Sequence, residues 1–299
     1  MQRHHGFLIV GLILSGCAGS ESEPPPQKAM SGSAALVETN GLSTNGLSTN
    51  GLSTNGLSTN GLSTNGLSTS KFNTWFNQNT ALSDMLMRYI VKCALPAGAQ
   101  LVWKNPKTRL TYSWNGSMGL TPGWSGGQPA TEIEQQVITA CLAAHANRFS
   151  VQVDISILGL DAAGTPIPMV NQELTLYPEK EACFFGNLFT ENATYAGNNA
   201  VFSSADSSVR ACGLEMSNPS GIDKCPPIHH VGKCTDMCAP DPQHNYYYTC
   251  TYNGKSYRAM TTRLTHADIY HCGDGICQIS ESCGTGTTPD NCKDCGPCS

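Results

Sequence analysis

Residues 131–157 read TEIEQQVITACLAAHANRFSVQVDISI, and within this one stretch the apolar spacing changes from helical to strand-like. Thr131 and Glu134 have the spacing of a capping box, so a helix opens near Pro129. Its inner face runs Ile133, Val137, Ala140, Cys141 and Ala144. Ile138, Leu142, His145 and Phe149 widen the apolar surface to one side, so the helix is expected to be well buried. Val151, Val153, Ile155 and Ile157 then alternate with Gln152, Asp154 and Ser156, the pattern of a strand covered on one face.

Upstream, Leu82, Met85, Leu86, Tyr89, Ile90 and Cys93 follow helical spacing, and Pro96 and Gly98 end that helix. Cys93 and Cys141 lie on the two inner faces. A bridge between them is expected to staple the helices, contributing about 4 kcal/mol in the loop-entropy account. Gln100 to Trp103 and Arg109 to Trp114 read as strands joined at Asn105-Pro106. Downstream, strands are expected at Glu173 to Tyr177 and Ala182 to Phe189. The clearest hairpin joins Tyr246–Tyr252 to Lys255–Leu264 through an Asn253-Gly254 type I′ turn. Helices and strands do not alternate as a doubly wound sheet requires. The expectation is an α+β domain over residues 72–268, with two main helices, antiparallel strands and folding signals that start at Lys71.

Only 13% of the 299 residues are charged, the formal net charge is -5, and no basic block supplies a footprint for nucleic acid. Arg3 precedes a short apolar run from Phe7 to Leu14. A spanning helix needs roughly 20 residues, so residues 1–16 read as a removable signal peptide, and no other segment is suited to span a membrane. Leu14-Ser15-Gly16-Cys17 resembles the lipobox of bacterial lipoproteins. That resemblance implies acylation of Cys17 and anchoring to a membrane. With Ala18 in place of Asp, it implies an outer-membrane or cell-surface location. Acyl chains in pairs hold stably.

Removing Cys17 from the 15 cysteines leaves an even set, as a fully oxidised exported protein requires. The remainder fall into even groups: Cys93 and Cys141; Cys183 and Cys212; Cys225, Cys234, Cys238 and Cys250; then Cys272, Cys277, Cys283, Cys292, Cys295 and Cys298. Pairing confined to those groups leaves about 45 arrangements.

Residues 17–71 read as a linker. Asn-Gly-Leu-Ser-Thr repeats six times from Asn40 to Thr69, behind a stretch containing Pro24-Pro25-Pro26. One Leu per unit offers little against the entropy of ordering it. A flexible arm is therefore expected, holding the domain on the order of 40 Å from the lipid. The five-residue period also resembles pentapeptide-repeat β-solenoids, although Asn stands two before Leu where that family carries a small residue.

Two sequence patterns bear on catalysis. Gly123-Trp124-Ser125-Gly126-Gly127 matches a hydrolase nucleophile elbow, but Gly119-Leu120-Thr121-Pro122 ahead of Ser125 is unsuited to the required strand. His229, His230, His244, His266 and His271 lack the spacing of a zinc hydrolase. Asn115-Gly-Ser and Asn192-Ala-Thr match the glycosylation sequon, which a lipobox makes irrelevant.

Residues 269–299 hold Cys272-Gly-Asp-Gly-Ile-Cys277 and Cys292-Lys-Asp-Cys295-Gly-Pro-Cys298. This resembles the myxococcus cysteine-rich repeat of secreted proteins, with Lys293 where Pro is usual. The whole layout is similar to that of myxobacterial lipoproteins. A module this small needs disulfides in place of a core. Zinc is a competing use of Cys292, Cys295 and Cys298. Asp274, Glu281, Asp290 and Asp294 could offer oxygen ligands to calcium, though no EF-hand spacing is present. The sequence thus predicts a membrane-anchored, non-enzymatic surface lipoprotein without a cofactor, whose partner is a protein or glycan. The alternatives are a secreted hydrolase using Ser125 or a histidine metal site, and a calcium-stabilised adhesin.

Overall fold

A computed structural model describes residues 37–39, 42–43, 52, 55–147, 154–191, 193–199, 226–265, 272–273, 275, 277, 281–287 and 291–298, all within the unit Ser33–Ser299. Cys17, Leu47, Phe149, Val151, Val153, Cys212, Cys225, His266, His271, Asp274 and Asp290 lie outside these residues. The chain runs β1 (Val37–Thr39), β2 (Leu42–Ser43), α1 (Leu57–Asn60), α2 (Thr64–Leu67), α3 (Ser70–Gln78) and α4 (Thr80–Ala94). Next come β3 (Gln100–Lys104), β4 (Thr111–Asn115), α5 (Pro122–Ser125), α6 (Glu132–Ala144), β5 (Ala146–Asn147) and β6 (Asp154–Gly159). Then follow α7 (Asn171–Leu176), β7 (Glu179–Asn187), β8 (Ala193–Asn198), β9 (Ile228–Lys233), α8 (Cys234–Met237) and β10 (Cys238–Pro240). The last are β11 (Tyr247–Tyr252), β12 (Lys255–Leu264), β13 (Ser282–Cys283) and β14 (Asn291–Cys292). This is the α+β, disulfide-stapled architecture that the sequence predicts.

Among the described residues, eight strands form the main sheet. Its path is β1-β6-β12-β7-β8-β9, with β11 also joined to β12 and β10 to β11. Strand β12 is long enough to serve two neighbours along one edge: its first half pairs with β11 and its second half with β6, while β7 takes the other edge. Asn253 and Gly254 both have positive φ, at 50° and 75°, as a type I′ turn between β11 and β12 demands. Pairing is antiparallel except at β8–β9. Helix α6 packs on β7 and β12, burying Val137, Ile138, Ala140 and Cys141 with Ala182, Phe184 and Met260 in the main core.

The α6 capping box forms as spaced, with Thr131 and Glu134 exchanging side-chain and backbone hydrogen bonds. The inner face is rotated from the expected one in its first turn. Glu134 is buried there, where it also accepts the Trp124 amide at 2.8 Å, and Ile133 is left 39% exposed. Strand β6 is buried on both faces rather than one: Ser156 is fully buried, and its hydroxyl donates to Glu173 Oε1 at 2.6 Å. The same contact explains a second correction. Glu173 to Tyr177 is not a strand; Glu173 lies in helix α7, which turns that carboxylate inward to Ser156, and the Tyr177 amide closes on the Glu173 carbonyl.

The largest correction concerns the repeats. Leu42, Leu52, Leu57, Leu62 and Leu67 are between 0% and 3% exposed and belong to the main core. They are therefore no free arm, and folded structure starts well before Lys71: β1 pairs with β6 and β2 with β5. The reckoning of one Leu against chain entropy omitted the receiving surface. A buried Leu contributes about 1.5–3 kcal/mol, and several in series offset the ordering cost that one cannot. Local bonds assist. Asn55 Oδ1 accepts the Leu57 amide at 2.9 Å, and Asn60 Nδ2 donates to the Gly56 carbonyl at 2.7 Å. Gly61 has φ 77°, and a Cβ there would collide with the Gly127 carbonyl, so this repeat glycine is required twice over.

Candidate functional site

Trp124 and Ser125 lie in the short helix α5, not at the exit of a buried strand. The Ser125 hydroxyl donates to the Thr121 carbonyl at 2.7 Å and lies 3.3 Å from the Pro122 carbonyl. What the Gly-Trp-Ser-Gly turn does is hold the repeats. Trp124 is fully buried, its indole donates to the Leu57 carbonyl at 2.8 Å, and its own carbonyl accepts the Leu62 amide at 3.0 Å. Ala130 donates to the Ser58 carbonyl at 2.8 Å, completing the clasp.

The described histidines are scattered. His145 is buried beside the Cys93–Cys141 bridge, with Nδ1 at 2.8 Å from the Cys141 carbonyl oxygen. His229 and His230 lie on β9, and His244 sits in a turn at φ 57°. Among the described residues, three groups bring potential metal donors together: Cys93, Cys141 and His145; Cys183, Cys238 and Cys250; Cys277, Glu281 and Cys295. Every cysteine in them is engaged in a disulfide, so none offers the thiolate that a zinc site needs. Asp294 accepts the Gly273 amide, which fixes it within the cysteine-rich module.

Among the described residues the bridges are Cys93–Cys141, Cys183–Cys234, Cys238–Cys250, Cys272–Cys292, Cys277–Cys295 and Cys283–Cys298. The helix staple forms as expected. Cys183 departs from its sequence group, reaching Cys234 instead of Cys212, because Cys234, directly after β9, comes to lie against Gly197, the β8 partner of Cys183. That bridge packs on the next one, with Cys183 and Cys238 sulfurs 3.4 Å apart. Phe185, Tyr247, Tyr257 and Ala259 complete this second cluster, with Tyr195 and Tyr252 half-buried at its edge and their rings 4.8 Å apart.

Beside these aromatics, Glu191 joins Lys255 and Tyr257, and Lys255 also meets Glu132 of α6 at 2.8 Å. Burial works against ionising Glu191, but hydrogen bonds from Lys255 and Tyr257 outweigh it and hold the carboxyl below the usual range. Burial, then the hydrogen bond to Glu191, raises the Tyr257 phenol. Across the sheet, Arg263 donates to the Tyr177, Pro178 and Asn245 carbonyls, so it is structural.

An open cleft of about 350 Å3 lies between α4 and β4, lined in part by Arg88, Tyr89, Lys92, Ser113, Asn115 and Ser117. Both ends are pinned. The Trp114 indole donates to Asp84 of α4 at 2.8 Å, and the Ser117 and Met118 amides donate to the Lys92 carbonyl at 3.2 and 2.9 Å. Sequence reasoning missed these residues. Arg88 and Lys92 are one helical turn apart on the polar side of a helix read for its apolar side, and Ser113 and Asn115 are exposed positions of β4, which the sequence predicts only as a strand over Arg109 to Trp114.

Fold and framework define a disulfide-stapled, repeat-containing α+β protein whose described repeat leucines are built into the core. The repeats are similar to the family described as the GLTT repeat, matched in six copies over residues 39–69, each reading Gly-Leu-Ser-Thr here. No curated protein and no solved structure matches the chain. Among the described residues no helix is long and apolar enough to cross a membrane.

Proposed function

We propose that this chain is a non-enzymatic lipoprotein of a bacterial outer membrane or cell surface, anchored through acylated Cys17 and displaying a binding domain towards glycan or protein. The anchor is supported by the lipobox-like Leu14-Ser15-Gly16-Cys17. The CGDG-type cysteine module at residues 269–299, which resembles the repeat of secreted myxobacterial proteins, agrees with an oxidising compartment. The binding role is carried by one observation, the pinned and polar α4–β4 cleft. Preorganised donors around a cavity in the size range of ligand pockets, roughly 300–1,000 Å3, are the usual form of a small-ligand site.

Metabolic labelling with a fatty-acid analogue tests the anchor. Label should appear on the membrane-associated protein and vanish in Cys17→Ser; labelling that survives the substitution would sink the lipoprotein reading. Glycan-array binding of the detergent-solubilised chain tests the role. A soluble form for such work has to keep the repeats, because trimming to residue 70 would remove Leu57, Leu62 and Leu67 from the core.

A further inference from the structure

Charge and apolar exposure meet at the tip of the β3–β4 hairpin. We propose that this tip docks on an anionic phospholipid surface, with Lys104, Lys107 and Arg109 among the headgroups and Leu110 entering the boundary with the acyl chains. The proposal rests on the lipid-anchored reading for its nearness to a bilayer, and goes beyond it by giving the folded domain a second point of contact.

Charge is the first argument. The chain as a whole has a formal net charge of -5, yet between Lys71 and Thr131 its one carboxylate is Asp84. Asp84 is engaged elsewhere, by the Trp114 indole at 2.8 Å and the Arg88 guanidinium at 3.3 Å. Lys104, Lys107 and Arg109 are exposed together at the tip and meet no carboxylate among the described residues. Each basic side chain brought to an anionic membrane surface favours the bound state about fivefold.

The second argument is the apolar surface set among those cations. Leu110 is 60% exposed, the most exposed large apolar side chain among the described residues, and Pro106 is exposed in the same turn. Val102, 43% exposed, lies on the strand face of Lys104. The tip is braced and cannot fold these groups inward. Asn105 is fully buried; its Nδ2 donates to Asn77 of α3 at 3.0 Å, and its Oδ1 accepts the Lys107 amide at 2.9 Å. The Asn105 amide donates to the Leu110 carbonyl at 2.8 Å, and Trp103 and Tyr112 pack on Phe76 behind it. A soluble polyanion would meet the cations and leave Leu110 and Pro106 in water. A bilayer takes both, holding the cations at the headgroups and the aliphatic side chain a few ångströms deeper.

The third argument is the length of chain outside the fold. Strand β1 begins at Val37 and pairs with β6, so residues 18–36 are all that lie between Cys17 and the first described strand. The sequence alone predicts a linker running to residue 71. The domain is thus held nearer the lipid than that linker would hold it, and a weak second contact gains from the high effective concentration. An acyl anchor joined to a basic patch is also the pairing of signals that stable attachment takes.

Fluorescence of the full chain on lipid vesicles tests the assignment, with Leu110→Trp as reporter. Trp75, Trp103, Trp114 and Trp124 are at most 6% exposed, and the parent chain supplies their background. On phosphatidylglycerol vesicles the introduced indole should shift to the blue and be quenched by lipids brominated near the headgroup. On phosphatidylcholine vesicles it should do neither, which separates docking from the indole's own preference for interfaces. Adding Lys104→Gln, Lys107→Gln and Arg109→Gln should lower the ratio of docked to undocked protein about fivefold for each cation removed. Salt should weaken docking as well. All four positions are exposed, and melting curves matching the parent would show that the variants fold. Equal quenching on neutral vesicles, no quenching on anionic ones, or quenching unchanged in the charge variant would each overturn the proposal. Without an acyl group on Cys17, neutral vesicles would float free of protein while anionic ones still gathered and quenched it. Failure of the anchor reading is thereby told apart from failure of docking.

Discussion

The indole nitrogen of Trp124 donates a hydrogen bond to the carbonyl oxygen of Leu57 at 2.8 Å, tying the Gly-Trp-Ser-Gly turn to the fourth pentapeptide repeat. Both residues are fully buried, so the bond is made where water cannot replace it. A motif shaped like a nucleophile elbow thus acts as the clasp of a repeat belt.

Trp124→Phe removes the donor and leaves the Leu57 carbonyl buried. The orphaned acceptor alone should lower stability by about 1–3 kcal/mol. Urea unfolding should show the loss. Limited proteolysis should show cleavage moving into residues 55–70, and a cleavage pattern like that of the parent would argue against the clasp.

Leu62→Ala distinguishes a belt from an arm more directly. A core leucine truncated to alanine costs about 2–5 kcal/mol, whereas a change in a solvated linker stays within about 0.5 kcal/mol. Chemical denaturation decides between them, and a midpoint that does not move would restore the arm.

Non-reducing digestion and mass spectrometry should recover a peptide pair linked through Cys183 and Cys234, and a second linked through Cys238 and Cys250. A Cys183–Cys212 peptide would contradict the approach of Cys234 to Cys183 beside Gly197.

Acid stability should depend on Glu191. Its folded-state pKa is depressed, so its contribution is present above the unfolded value, roughly 4.3, and is lost as pH falls through the folded one. Denaturant midpoints measured from pH 6 down to pH 3 should fall more steeply for the parent than for Glu191→Gln. Parallel slopes would mean that the Lys255 and Tyr257 contacts do not persist in solution.

The elements that could be read in advance were those whose signal is local. The α6 capping box, the Asn253-Gly254 turn, the β3–β4 strands and the Cys93–Cys141 staple each depend on spacing within one element or on two facing helix stripes. The Glu173–Tyr177 segment misled because its alternation is local too, while the burial of Glu173 against Ser156 on a distant strand is not. The α4–β4 cleft was illegible for a related reason. Arg88 and Lys92 look like any solvated helix face until the Trp114–Asp84 bond and the Lys92 carbonyl bring β4 alongside them.

By itself the sequence determined the α+β class, the helices and hairpins with periodic apolar faces, the six-fold pentapeptide and an even set of cysteines beyond Cys17. These follow from chain-local rules of side-chain direction and parity. Tertiary structure alone decided where the repeats go, which partner Cys183 takes and what the Trp124 turn is for. A leucine every five residues has no preferred surroundings of its own, and its burial becomes favourable only once α3, α5 and α6 have supplied the surface that receives it.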